Sequence, residues 1–252
     1  MKHASLFAFL VACGGATPPA SSANVETTSA PAVEVAAPAP DAKSPTPKPV
    51  AAEAPRALPT ACAPNEGDVC SPGTDFANRV CNFAQPDVAL ILFSKGSPWT
   101  RMYLKGDVDG WNAEGGASAR AKLQFDEEVI VLKHREAPKG STAIVVGASG
   151  GYQVMRIDGN CYSLEEGEVT THHPPRAKHP PIPWRYLTEK TRSALLDNAS
   201  IKTAYDRRGR ECKGASVGEV SLACEQADTA LSNGIVDAVK TGFVIPTPDK
   251  LP

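Results

Sequence analysis

Hydrophobic and polar positions along this chain fall into four regimes. Residues 4–12 (ASLFAFLVA) carry no charge, and residues 14–61 have no aromatic side chain and no apolar period. From about residue 80 to residue 172 short apolar runs recur at roughly ten-residue spacing, the rhythm of strands. From residue 184 onward apolar residues step by threes and fours, the rhythm of helices.

In the third regime, Asp87–Phe93 (DVALILF) is a near-continuous apolar run that predicts a strand, and Lys95–Pro98 (KGSP) follows as turn chemistry. Thr100–Lys105 alternates, with Met102 and Leu104 on one side and Arg101 and Tyr103 on the other. Residues 106–122 read as a long loop. Glu127–Lys133 (EEVIVLK), Thr142–Val146 (TAIVV), Tyr152–Ile157 and Cys161–Leu164 predict further strands. The turns between them are the glycine-rich Gly147–Gly151 and Asp158-Gly159-Asn160. Short strands with no helical pattern between them predict a small antiparallel sandwich or barrel.

In the fourth regime, Pro183 fits a helix start, and Trp184, Leu187, Thr191 and Leu195 fall at helical spacing. Ile201, Tyr205 and Cys212 continue that face after a bend near Asn198. Ser216–Glu219 (SVGE) has capping-box form, and Val220, Cys224, Ala227, Leu231, Ile235 and Ala238 make an amphipathic stripe that Gly242 ends. These features predict a helical hairpin turning at Lys213–Ala215 and packed on the β region, with Val244–Pro252 returning over the surface. A partner helix or a lipid would suit the same apolar face, but packing on the β region explains it more simply. Residues 173–183, rich in proline, read as a connection.

The first two regimes give the chain an address. Nine residues span about 14 Å as a helix, far short of a bilayer core of roughly 30 Å, so residues 4–12 fit the apolar part of a secretory signal. Leu10-Val11-Ala12-Cys13 resembles the lipobox of bacterial lipoproteins and matches its Leu-x-small-Cys pattern at every position. This resemblance, confined to the first thirteen residues, implies cleavage before Cys13, diacylglycerol on its sulfur and acylation (as with palmitate) of the new amino terminus. Gly14 in place of Asp implies outer-membrane sorting where the host has two membranes. Several acyl chains, at about 0.8 kcal/mol per buried CH₂, make a lasting anchor. An ordinary cleaved signal beside an incidental cysteine is the alternative.

The tract that follows, dominated by Pro, Ala, Ser, Thr and Val, cannot bury enough apolar area to offset chain entropy and is expected to be a disordered tether. Its reach runs from about 40 Å as a coil to about 150 Å fully extended. Spacing a folded domain from a membrane is the expected role, and a proline-rich ligand for a partner domain is the alternative.

Charge and cysteine count narrow the rest. The formal charge of −2 and the absence of a basic stripe with interleaved aromatics give no reason to expect nucleic acid as a partner. Beyond Cys13 lie six cysteines, Cys62, Cys70, Cys81, Cys161, Cys212 and Cys224, an even number in a chain whose signal sends it to an oxidising compartment. Three disulfides are expected. Sequence alone leaves all pairings open, with Cys62–Cys70, Cys81–Cys161 and Cys212–Cys224 preferred. With no Cys-x-x-Cys pair, zinc held by cysteine is not expected, nor is any other cofactor.

Four stretches have candidate chemistry. Gly147-Ala148-Ser149-Gly150-Gly151 matches G-x-S-x-G after an apolar strand, which would make Ser149 a hydrolase nucleophile. That motif requires a helix next, whereas Tyr152–Ile157 reads as strand, so a hairpin turn is the expectation. Asp107, Asp109, Asn112 and Glu114 cluster oxygens as a calcium loop does. Gly110 is fourth and Ser118 twelfth from Asp107, however, where an EF-hand needs glycine sixth and a bidentate acid twelfth. His172, His173 and His179 could hold zinc, nickel or copper, but the prolines between them need not let the rings converge. Trp99, Tyr103 and Trp111 sit near turns and could form a shallow ligand-binding face for peptide.

Residues 151–159 (GYQVMRIDG) resemble the closing hairpin of bacterial SH3-type barrels, a loose likeness extending over residues 87–170. It implies a binding module for peptide or cell-wall material. The expected organisation is a signal over 1–12, a lipidated Cys13 and tether over 13–61, a β domain over 62–172, a connection over 173–183 and a helical region over 184–252. The fold class is α+β. The expected function is that of a membrane-anchored envelope lipoprotein, a non-catalytic binding or structural module with an envelope protein or cell-wall peptide as partner. A serine hydrolase using Ser149 and metal binding through the histidines are the alternatives.

Overall fold

A computed structural model describes residues 57–64, 68–112, 121–136, 150–215 and 220–249. These all belong to the unit Ala52–Pro252. The signal, Cys13, nearly all of the tether, Glu114, Thr142–Val146, Ser149 and Ser216–Glu219 lie outside the described residues.

The chain enters through two short helices. Helix α1 (Thr74–Val80) buries Phe76, Ala77 and Val80, one side of a two-turn helix. Helix α2 (Pro86–Leu92) occupies the run expected to be a strand. Pro86, with its fixed φ, stands at the first helical position and Asp87 in the first turn, both helix-start chemistry. The run lacks a helical period because α2 is covered nearly all round: Val88, Ala89, Leu90 and Leu92 are all buried. A buried helix and a buried strand look alike over seven residues.

Strands β1 (Arg101–Leu104), β2 (Val108–Asn112), β3 (Ala121–Leu123), β4 (Glu128–Arg135), β5 (Gly151–Met155), β6 (Cys161–Glu165) and β7 (Val169–Thr170) follow. They form one antiparallel seven-stranded sheet in the order β3-β2-β6-β5-β4-β1-β7. The expected closed barrel is not formed: β3 and β7 remain edges, three and two residues long. Nor is residue 106 onward one long loop, since β2 and β3 pair there.

Both faces of the sheet are covered, which makes the apolar runs near-continuous. Ile130, Leu132 and Met155 join Phe76, Leu90, Phe93, Leu231, Ile235 and Val239 in a core under the helices. Met102, Leu104, Val129, Val131 and Val154 turn the other way and meet Leu123, Tyr162 and Leu164. The α+β class therefore stands, with strands and helices sharing the first core.

The helical region departs from expectation at its start. Trp184–Tyr186 is a single 3₁₀ turn. Helix α3 (Glu189–Leu196) begins after it, capped by Thr188, whose hydroxyl accepts from the Thr191 N–H. Helix α4 (Ala199–Glu211) begins at Asn198, the residue at which a bend was expected. Helix α5 (Leu222–Thr241) is capped by Ser221, five residues later than the expected cap Ser216, and ends at Gly242 with φ 119°. That late start lets Cys212 and Cys224 face each other with α-carbons 4.7 Å apart, where two ideal helices would leave an offset of about 9 Å.

Two more cysteine pairs are at bonding distance, Cys62–Cys70 and Cys81–Cys161, so all three preferred pairings are present. Residues 173–183 are a strap rather than a free connection. Lys178 N–H donates to the Asp126 carbonyl at 2.9 Å and its carbonyl accepts from Glu128 N–H at 3.1 Å. Farther along, Ile182 N–H donates to Ser232 Oγ on α5 at 3.0 Å. No helix among the described residues is long and apolar enough to cross a membrane.

Candidate ligand cavity

The strap carries a polar site against the helix-side face of the sheet. Glu128 opens β4 in phase with Ile130 and Leu132, so its carboxylate is directed into the core, and it is fully buried. Such a charge requires partners. Arg101, two residues before its register mate Tyr103, brings Nη1 to 3.3 Å from Glu128 Oε1. Lys240, in the last turn of α5, bonds Glu128 Oε2. Arg101 also donates through Nη2 to the carbonyls of Phe93 and Ser94, at 2.9 and 3.1 Å, and so caps the end of α2.

His179 lies on the strap beside this pair, its side chain 8% exposed. Nε2 is 3.1 Å from Lys240 Nζ and 3.3 Å from Glu128 Oε2. Burial, reinforced by the Lys240 charge, brings its pKa down to about 4, so the ring is neutral. Nε2 thus lies within reach of a donor, the Lys240 ammonium, and of an acceptor, the Glu128 carboxylate, and the tautomer follows whichever of the two it serves. Nδ1 is itself buried and has no hydrogen-bond partner among the described residues.

Beside Lys240 and His179 lies a cavity of about 230 Å³ lined by these two with His173, Arg176, Ala177, Asn233, Val236 and Asp237. The His173 ring packs on Tyr103 with centroids 4.9 Å apart. Its Nδ1 is 2.5 Å from the Pro174 carbonyl, which can only accept, so Nδ1 donates and Nε2 is left as an acceptor. Burial and the nearby Glu128 push the Tyr103 phenol up to about 12, so it stays protonated. The cavity thus has Arg176 and Asn233 as donors and Asp237, Asn233 and His173 as acceptors in its lining.

A second buried charge group stands on the adjacent residue. Glu127 Oε1 lies 2.6 Å from Arg156 Nε, and Arg156 Nη1 lies 3.8 Å from Asp158 Oδ2. Burial pushes the Glu127 carboxyl up despite the arginine. The three side chains pair with one another.

Of the residues singled out by sequence, His173 and His179 meet at this cavity, while His172 is exposed and its N–H donates to Thr170 Oγ1. Among the described residues no three His, Cys, Asp or Glu side chains converge as metal ligands. The expected aromatic face is not assembled. Trp99 is 5% exposed in the core under the helices, Tyr103 is 3% exposed beneath His173, and Trp111 is half-buried on β2 opposite Ser163. Covering both sheet faces is what removed the first two from the surface.

In the expected calcium loop Val108–Asn112 is strand, and Asp107 Oδ1 accepts from Phe125 N–H at 2.7 Å. Ser149 lies outside the described residues, and β5 follows it where a nucleophile elbow demands a helix. The residues that sequence reasoning missed are Glu128, Lys240 and Arg176. Glu128 left one signal, a carboxylate in phase with the core positions of its own strand. Neither a protein family, nor a curated protein, nor a solved structure matches this chain.

Proposed function

We propose that this chain is a lipid-anchored protein of the bacterial envelope, held on Cys13 and spaced from its membrane by residues 14–61, whose folded part is a non-catalytic binding module. The observation that carries the reading is the set of three cysteine pairs at bonding distance in a chain that opens with Leu10-Val11-Ala12-Cys13. Disulfides persist outside the reducing cytoplasm, which is where such a signal delivers a protein. The cavity under the strap supports binding over a purely structural role, since it gathers side chains from the strap and α5 whose polar groups are not used up within the fold.

The test is metabolic labelling with palmitate. Label is expected in the wild type and absent from Cys13→Ser, with the variant released from the membrane fraction. Label that persists in Cys13→Ser removes the anchor.

A further inference from the structure

The strap lies on the surface and is joined to the sheet at one point. Lys178 N–H donates to the Asp126 carbonyl at 2.9 Å, and the Lys178 carbonyl accepts from Glu128 N–H at 3.1 Å. His173, Pro175, Arg176 and Lys178 are exposed. The next residue, His179, turns its ring inward until the side chain is only 8% exposed. Ile182 anchors the far end, 3% exposed in the core and bonded through its N–H to Ser232 Oγ. Residues 173–181 therefore cannot lift off without drawing the His179 ring into water.

Each element around that ring brings its own charge. From α5, Lys240 Nζ lies 3.1 Å from Nε2. From β4, Glu128 Oε2 lies 3.3 Å from it. From β1, Arg101 Nη1 takes the other oxygen of that carboxylate at 3.3 Å, and the protonated Tyr103 phenol reaches the same oxygen at 3.5 Å. The end of α2 offers only the Phe93 ring, edge-on with centroids 6.4 Å apart. The neighbouring cavity adds Arg176 and His173 from the strap and Asp237 from α5. One carboxylate thus already serves two cations. A neutral imidazole suits this site in either tautomer. An imidazolium would set a second positive charge 3.1 Å from the Lys240 ammonium, out of water.

We infer that the strap is an acid-released latch: a proton taken up by His179 frees residues 173–181, swinging on Ile182, while the sheet and helices stay in place. Release opens the cavity beside Lys240 and uncovers Tyr103, which lies beneath the His173 ring.

The pH window follows from linkage. Burial first, then the Lys240 charge, bring the seated ring from 6.5 to about 4, with Glu128 opposing and Arg101 adding to the fall. A released ring regains the ordinary value, so the open form binds the proton first. Opening then grows by about tenfold per pH unit between the two values, roughly a hundredfold from pH 7 to pH 4, and begins in mild acid.

The experiment follows amide hydrogen exchange of the full chain in detergent micelles by NMR, as protection factors corrected for the intrinsic effect of pH. The Lys178 and Glu128 N–H groups, which bond across the strap, should lose roughly a hundredfold in protection from pH 7 to pH 4. Val131 N–H, bonded to the Thr100 carbonyl inside the sheet, and Ile182 N–H should retain theirs over the same range. In His179→Gln, whose amide can meet both Lys240 and Glu128 without titrating, the strap should stay protected at pH 4. Lys240→Met should raise the pKa of His179, read from its ¹⁵N ring resonances, and cut the loss of protection to about tenfold or less.

The latch is overturned if Lys178 and Glu128 keep their protection at pH 4, if Val131 loses its own in parallel, if His179→Gln opens as the wild type does, or if Lys240→Met leaves both the His179 titration and the opening unchanged. Palmitate labelling reports on the anchor separately, so each can fail without the other.

Discussion

Glu128 shows how one side chain organises its surroundings. Buried in phase with the core, it holds Arg101 against the end of α2 and Lys240 against the strap. Removing one partner from a buried pair leaves an uncompensated charge, at a cost of about 3–5 kcal/mol. Arg101 stays beside Glu128 when Lys240 is removed, so Lys240→Met is expected to lose less than that, about 1–3 kcal/mol in urea unfolding, and a double-mutant cycle with Glu128→Gln should show the coupling. His179 brings a dependence on protons. Its pKa is near 6.5 when unfolded and about 4 when folded, lowered first by burial and then by the Lys240 and Arg101 charges, with Glu128 opposing them. The unfolded chain binds the proton first, so its contribution is complete above pH 6.5 and is lost as pH falls through the folded value of about 4. Stability measured across that window should fall less steeply in His179→Gln. Little of this was legible beforehand. The sequence singled out His179 as a metal ligand because it stands near two other histidines, and nothing local told that its neighbour would be an ammonium from residue 240.

At the scale of elements, the most instructive mismatch is α2. Asp87–Phe93 was expected to be a strand because an apolar run without a period suits any element covered on all sides. The discriminating residues were Pro86 and Asp87, and Asp87 has a long-range role besides. Its carboxylate accepts from Thr188 N–H at 3.1 Å and from Thr188 Oγ1 at 2.9 Å, tying the first turn of α2 to the cap of α3 across 101 residues of chain. Asp87→Ala should cost about 1.5–3 kcal/mol, the range for bonds to a charged group. Gly159 holds the other side of α2. With φ +85° and Gln85 so close that an added Cβ would lie 2.3 Å from its carbonyl carbon, Gly159→Ala should destabilise by at least about 2 kcal/mol in the same assay. Where a single face is buried, as on α5, the period was read correctly to Gly242. Where nearly every side is, as on α2, it was not.

At the scale of the molecule, the change of rhythm near residue 184 and the packing of the helical region on the β region were legible, but which residues meet, and that the strap binds both, was not. Ile130 and Met155 share a core with Leu231 and Ile235, and the strap binds both. Long-range packing leaves no local trace. The cysteines gave the most, because an even count in an exported chain restricts the topology before any helix is known. Their effects should be unequal. Cys81–Cys161 closes a sequence separation of 80, against 8 and 12 for the others. Chain entropy then assigns it roughly 4.5 kcal/mol and the others roughly 2.5–2.8 kcal/mol. Paired Cys→Ser variants compared by thermal unfolding should show Cys81/Cys161 as the most damaged.

Cys62–Cys70 has a mechanical consequence. A pull on the segment before Cys62 crosses the sulfur bridge straight to Cys70 and bypasses the chain between them. Cys70 in turn grips Thr100 through two hydrogen bonds, its N–H to Thr100 Oγ1 and its carbonyl to Thr100 N–H, each 2.8 Å. Tension therefore arrives beside β1, one strand in from the β7 edge, and must shear that strand's surroundings before α1 can be peeled away.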